Sequence, residues 1–257
     1  MRRNFRNFAP TIRFLNKFMS RRTFRFKQFA MTDVHCGMRI NTDGVLLGAW
    51  ASVAPEALRS VLDVGSGCGV IALMLAQRAQ VARVVAVECD PGAAADACAN
   101  FASSPWPERI RLVDKGFEHY EPESDERFDL MVSNPPFFIE SLKSPDATRA
   151  AARHEGTLSF EVLAGRAGSI LAPTGRLAVI MPSDADARTL ATAATCGIYP
   201  RRHCLVRTRP DMAPVRSLWE FSLEDGSCEE TSLCIRDDNG DFSTQYQSFT
   251  HDFHIFM

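Results

Sequence analysis

The stretch that most constrains the fold is Ser60-Val-Leu-Asp-Val64, followed at once by Gly65-Ser-Gly-Cys-Gly69 and the helical pattern of Val70 to Ala79. A short apolar run, a glycine turn and a helix form the opening unit of a parallel nucleotide-binding sheet, where glycines let the backbone approach a ligand. The spacing is Gly-x-Gly-x-Gly rather than Gly-x-Gly-x-x-Gly, which points away from a dinucleotide. It suits a ligand that places a carboxylate or an adenosine at the helix start and has no pyrophosphate. A glycine turn alone is a weak signal, and two later strands strengthen it. Arg83-Val-Val-Ala-Val-Glu88 ends in an acid able to accept hydrogen bonds from ribose hydroxyls. Ile110-Arg-Leu-Val-Asp114 ends in an acid suited to an adenine amine. Any one of Asp63, Glu88 and Asp114 reads equally well as a surface acid. Their repeated placement at or near three successive strand ends reads as an adenosyl-ligand site.

A fourth apolar run, Phe128-Asp-Leu-Met-Val-Ser133, leads into Asn134-Pro-Pro-Phe137. Two consecutive prolines stop a strand, because neither donates to a ladder and each fixes its own φ. The residue before a proline is pushed out of the α region, so Asn134 is held extended at the carboxyl end of a strand. Open α/β sheets place their ligands there. The side-chain oxygen of Asn134 can accept from an amine, and Phe137 offers a face on which a planar ring can stack. The plain alternative is a Pro-Pro turn with a core phenylalanine.

The rest of the chain supports an α/β architecture. Phe24 to Phe29 alternates and reads as a strand. Asn41 to Trp50 reads as a helix start, with Thr42 or Asp43 as N-cap and Val45, Leu46, Ala49 and Trp50 on its apolar face. Asp90 and Pro91 open an alanine-rich helix. Residues 139–155 form a long basic connection at the mouth of the site, carrying Lys143, Arg149, Arg153 and His154. Phe160 to Leu171 reads as a helix, Gly175 to Pro182 as a buried strand, and Ala185 to Thr195 as a further helix. His203 to Arg207 and Ser217 to Leu223 read as a final hairpin. The expected fold is a mostly parallel, Rossmann-like sheet of seven strands with helices on both faces and a C-terminal antiparallel hairpin.

The net charge of −2 conceals an asymmetry. Residues 1–32 hold nine Arg or Lys and no acid, leaving 20 basic against 31 acidic residues beyond them. A basic arm on an acidic body fits contact with a polyanion such as RNA. An Arg-rich, acid-free amino terminus also has the composition of a transit peptide. A duller reading makes Met19 the start, with residues 1–18 an upstream extension; the expected domain spans 24–257, with residues 1–23 a basic, disordered extension. Arg21, Arg22, Arg25 and Lys27 remain candidate RNA contacts on that reading. The eight cysteines show no Cys-x-x-Cys pair and no framework, and read as reduced, mostly buried thiols of a cytosolic protein. No apolar run approaches the ~20 residues of a membrane span. His251 and His254 have no third ligand, so no metal is expected.

Asp63 to Gly69, Glu88, Asp114 and Asn134-Pro-Pro-Phe137 at these intervals resemble the Rossmann-type S-adenosylmethionine-dependent methyltransferases that modify exocyclic amines. A narrower resemblance rests on Phe24-Arg-Phe-Lys-Gln-Phe29, Thr42 to Trp50, Arg149 to His154 and Phe249-Thr-His-Asp-Phe253. These are similar to the bacterial valine-tRNA adenine-37 N6-methyltransferases, with a histidine at 254 and a phenylalanine at 137 where that family commonly has tyrosine. The resemblance implies S-adenosylmethionine as cofactor and tRNA as partner. It places Gly65, Gly67 and Gly69 against the methionine part of the cofactor, Glu88 on the ribose and Asp114 on the adenine amine. Asp63 would support the glycine turn or the cofactor amine, and Asp43 joins the cofactor set. Asn134 and the Pro135 carbonyl would grip the target amine while Phe137 stacks the base. The competing expectations are methylation of a glutamine amide in a protein, of ribosomal RNA or of DNA, and, from another class, non-catalytic RNA binding on a relic fold. Intact cofactor acids and an intact Asn-Pro-Pro-Phe speak against the last.

Overall fold

The computed structural model describes residues 23–54, 56–123, 126–136 and 158–254. The chain enters through an antiparallel hairpin, β1 (Thr23–Arg25) and β2 (Ala30–Thr32), with Phe24 opposite Met31. The single strand expected over Phe24–Phe29 is therefore broken by a turn. The Phe26 N–H donates to the Phe29 carbonyl at 2.8 Å, and the two rings stack at 4.5 Å, both buried. The turn hides these two rings on one side of the hairpin, which strict alternation along a single strand does not do.

Helix α1 (Thr42–Trp50) follows, buried on nearly every side, as its apolar sequence requires. Its N-cap is Asn41, whose Oδ1 accepts from the Gly44 N–H at 3.0 Å. The expected Thr42 and Asp43 are instead the first two helical residues. A capping oxygen must stand before the helix and reach its third N–H, and only Asn41 is so placed.

The sheet is then built from β3 (Ser60–Val64), α2 (Val70–Arg78), β4 (Arg83–Glu88), α3 (Pro91–Ser103), β5 (Ile110–Asp114), β6 (Phe128–Ser133), α4 (Phe160–Ile170), β7 (Leu171–Pro182), α5 (Asp186–Thr195), β8 (Tyr199–Arg207) and β9 (Arg216–Ser222). β5, β4, β3, β6 and β7 run parallel in that order, and β9 returns antiparallel between β7 and β8. These are the seven expected strands. An eighth, β10 (Glu229–Cys234), adds to the outer edge, parallel to β8, and a short helix, α6 (Thr244–Thr250), closes the described chain. Four of the six β10 side chains are exposed, so no apolar pattern announces that strand.

Alternate strand residues face opposite cores. Val61, Val84 and Ala86 pack with α1, α2 and α3, whereas Leu62, Val64, Val85 and Val87 pack with α4. Among the described residues, no helix is long and apolar enough to cross a membrane, and no three potential ligand side chains cluster as a metal site. All eight cysteines are free thiols, but only Cys36, Cys68 and Cys204 are buried, fewer than composition led us to expect.

Candidate active site

Register aligns the site. Val64 pairs with Ser133 on one side and Val87 on the other, while Glu88 pairs with Asp114. The next residue out on each strand brings Asn134, Gly65, Glu88 and Asp114 to one edge of the sheet. The buried Ser133 hydroxyl donates to the Val64 carbonyl at 2.8 Å, tying the end of β6 to the glycine turn.

Within the turn, Gly65, Gly67 and Gly69 have φ of 67°, 57° and 89°. L side chains rarely adopt such values. At Gly69 the Phe101 ring occupies the space a Cβ would need. Gly69 is also the N-cap of α2 and offers no side-chain acceptor. Asp63 supplies it from the strand below, its Oδ2 accepting from the Ala72 N–H at 3.0 Å.

Asp63 is fully buried. Burial pushes its carboxyl up to about 7, with the Ala72 bond opposing and the nearby Glu88 charge reinforcing. Between the ordinary carboxylate range and about 7 the folded chain holds a proton that the unfolded chain has released. Stability from this group is full at low pH and is lost as pH rises through that window. We expect the thermal midpoint of the ligand-free wild type to fall between about pH 4 and pH 7, and the fall to be absent in Asp63→Asn. Parallel pH profiles from thermal denaturation of the two proteins would refute the assignment.

Glu88 holds the other side of the turn. Its Oε2 accepts from the Gly67 N–H at 2.7 Å, and its Oε1 from Cys89 and Asp90 N–H at 2.9 and 2.8 Å. A cavity of about 440 Å³ opens between these groups, lined by Gly65, Gly67, Glu88, Asp90, Asn134 and Pro136, among others. The opposite wall is the segment from Cys36 to Asn41. Asp96 pins that wall, accepting from the His35 and Cys36 N–H groups at 2.6 and 2.9 Å. Asn100 joins Thr32 to the Cys68 carbonyl of the turn. The Cys36 thiol donates to the Met38 carbonyl at 2.9 Å, and the neighbouring Cys68 thiol holds Cys36 below the ordinary thiol range while Cys36 and burial push Cys68 up.

Three buried side-chain oxygens here lack a partner among the described residues: Asp63 Oδ1, Ser66 Oγ and Asn134 Oδ1. Ser66 and Asn134 line the cavity itself. Unsatisfied buried acceptors are uncommon and costly, about 1–3 kcal/mol each.

The structure thus gathers Gly65, Gly67, Glu88 and Asn134 round one cavity, with Asp63 and Gly69 shaping it from below. Pro135 is buried, and Pro136 lines the cavity. Asp114 is exposed one strand further out and does not line the cavity. Asp43 points elsewhere, into an ion pair with Arg216 at 2.9 Å on the wall of a neighbouring cavity. Arg25 and Lys27 are exposed on the amino-terminal hairpin. Phe137, Arg21, Arg22, Lys143, Arg149 and Arg153 lie outside the described residues, as does the 139–155 connection. Sequence reasoning missed the Cys36–Asn41 wall and Leu158, whose places depend on long-range bonds and packing. Asp90, read only as a helix cap, was the one signal pointing to this rim.

A parallel sheet with a glycine turn, an acid at the end of the next strand and Asn-Pro-Pro at the adjacent strand end defines a methyltransferase, and residues 32–194 match the model of the methyltransferase small domain family. A predicted O-methyltransferase from Agrobacterium tumefaciens shares the fold, with a TM-score of 0.60 at 19% identity over 82% of this chain and 96% of its own. A methyltransferase from Streptomyces caelestis scores 0.52 at 15% identity, covering 70% and 89%. Among curated proteins, the tRNA1(Val) (adenine(37)-N6)-methyltransferase of Bacteroides fragilis is 40% identical over 93% of this chain and all of its own length. That of Porphyromonas gingivalis is 43% identical over 90% and 94%, and that of Tolumonas auensis 36% over 93% and 99%. The chain belongs to the family of the tRNA1(Val) (adenine(37)-N6)-methyltransferases.

Proposed function

We propose that this protein transfers the methyl group of S-adenosylmethionine to N6 of adenine 37 in valine tRNA, with residues 24–257 as the catalytic unit. The observation that carries the reading is Asn134: a buried side-chain oxygen without a partner among the described residues, at a strand end, on the wall of a cavity beside the glycine turn. An acceptor held there is matched by a hydrogen-bearing exocyclic amine. The names of relatives sharing 36–43% identity support adenine 37 as the nucleotide.

The residues present fit the cofactor. A cavity of about 440 Å³ is in the range of small-molecule sites. Gly67 presents bare backbone to it, and Glu88 keeps acceptor capacity beyond its three backbone bonds. S-adenosylmethionine, when bound, supplies an electrophilic sulfonium methyl. Glu88 would accept from a ribose hydroxyl, and the glycine turn would lie against the methionine part. Asp114, exposed at the neighbouring strand end, would reach the adenine amine from outside the cavity.

Asn134 and the Pro135 carbonyl would take the two hydrogens of the target amine. The lone pair of an aromatic amine is delocalised into its ring and is a poor nucleophile. Two acceptors aimed at its hydrogens favour a more tetrahedral nitrogen and free that lone pair. β6 ends at Ser133, so no ladder claims the Pro135 carbonyl. Both acceptors sit on a rigid strand end, and holding the reactants in line supplies most of the rate. No strong base is required, because the proton can leave after transfer. The base must leave its stack to reach the cavity, and Phe137 would offset part of that cost.

The test is methyl transfer from labelled cofactor to bulk tRNA, bulk ribosomal RNA and a protein extract. Label should enter tRNA alone, at an adenine adjoining the anticodon. Label in protein would replace this reading with glutamine-amide methylation.

A further inference from the structure

The cavity beside the glycine turn has a larger neighbour. A groove of about 690 Å³ lies next to it, and the two share Ile40 and Asn41 as a common wall. It is bounded by the β1–β2 hairpin, the first turns of α1, the β8–β9 end and α6. Its chemistry differs from that of the cofactor cavity in two respects.

The first is charge. Arg25, Arg216 and Arg236 line the groove, and its one acid, Asp43, is taken up by Arg216 Nε at 2.9 Å. A net positive wall remains in a chain whose body beyond residue 32 is acidic. The second is flat surface. The Arg236 guanidinium lies 4.7 Å from the Phe242 ring centroid, and its Nη1 donates to the Gly240 carbonyl at 2.7 Å. Phe242 in turn stacks on Tyr246 at 4.9 Å, and the Tyr246 hydroxyl meets His254 Nε2 at 3.3 Å. Arg236 is thus a preoriented planar cation on an aromatic support, the type of surface on which unpaired bases stack.

We infer that this groove holds the unpaired nucleotide next to the methylated adenine, its base on the Arg236 plane and its phosphate toward Arg25. The shared wall at Ile40 and Asn41 puts the groove one step from Asn134's cavity, so a continuous single strand can enter both. With an adjacent nucleotide seated, the target base is drawn out of its stack and kept out, which positions it without touching the reacting atoms. The inference rests on the proposed RNA substrate and adds a subsite to it.

The test uses the full chain with an unmodified anticodon stem-loop RNA carrying 2-aminopurine in place of one nucleotide flanking the target adenine. For the wild type, binding should change the fluorescence at one flanking position. Arg236→Lys keeps the charge and removes the plane. Arg25→Ala removes an exposed side chain for which no bond is seen among the described residues. Each should raise the KM for tRNA by about 5- to 100-fold, the scale of one base stack or phosphate contact, with cofactor affinity unchanged. Arg236→Lys should also abolish the fluorescence change. A wild type that methylates tRNA while neither variant moves KM overturns the groove and leaves the function standing. Loss of the signal on deleting residues 1–22, with both variants behaving as wild type, would assign the contact to the amino-terminal arm and likewise overturn it. A wild type that does not methylate tRNA overturns both.

Discussion

Asn134→Ala is expected to fold, to bind S-adenosylmethionine with wild-type affinity, and to turn over at least ~100-fold more slowly. The fold should survive because the side-chain oxygen makes no bond among the described residues. Removing an unsatisfied buried acceptor relieves a cost rather than creating one. Turnover should fall because that oxygen has a partner only when the substrate amine is present. An interaction made at the reacting nitrogen, in a preorganised site, is the kind whose loss costs two or more orders of magnitude. Asn134→Asp should be milder, since a carboxylate remains an acceptor at nearly the same place. If Asn134 were only a turn residue, the pattern would invert: a lower thermal midpoint with activity per folded molecule preserved. Single-turnover methylation, thermal midpoint and cofactor calorimetry on both variants separate the two. A wild-type single-turnover rate in the alanine variant ends the proposed mechanism.

What could be read from the sequence follows from how local each feature is. The β3–turn–α2 unit was legible because strand, glycines and helix are consecutive, and each signal is carried by the residues that form it. Glu88 and Asn134 were legible for the same reason: a parallel strand's carboxyl end is a marked position, and both residues stand at one. The Cys36–Asn41 wall was not, since Asp96 holds it in place from about 60 residues along the chain. Strand β10 escaped because it lies on an edge with mostly exposed side chains, where nothing enforces a period of two. Phe24–Phe29 misled because a tight turn can bury Phe26 and Phe29 together as readily as a strand buries alternate residues. Asp43 entered the cofactor set only through the family resemblance; in the fold its carboxylate pairs with Arg216, 173 positions along the chain, on the wall of the other cavity, a contact that no local pattern announces.

Glu88 makes the second large prediction, and the structure sharpens it. From the sequence its role is to hold the ribose. In the fold it also gathers three backbone N–H groups, from Gly67, Cys89 and Asp90, and so fixes the glycine turn against the start of α3. Glu88→Ala therefore removes both a ligand contact and the brace of the surface the ligand lies on. Loss of one hydrogen bond to a charged acceptor costs about 1.5–3 kcal/mol, so the cofactor Kd should rise by about 10- to 150-fold. Glu88→Gln tests how that loss divides. The amide keeps one oxygen, but its NH₂ faces backbone donors where a second oxygen stood, so the turn is braced from one side only. If the ribose contact dominates, Gln should recover much of the affinity by donating to a ribose oxygen. If bracing dominates, Gln should resemble Ala and show faster amide hydrogen exchange at Gly67. Calorimetry and exchange on the two variants distinguish these, and an unchanged Kd in Glu88→Ala would remove this residue from the cofactor site altogether.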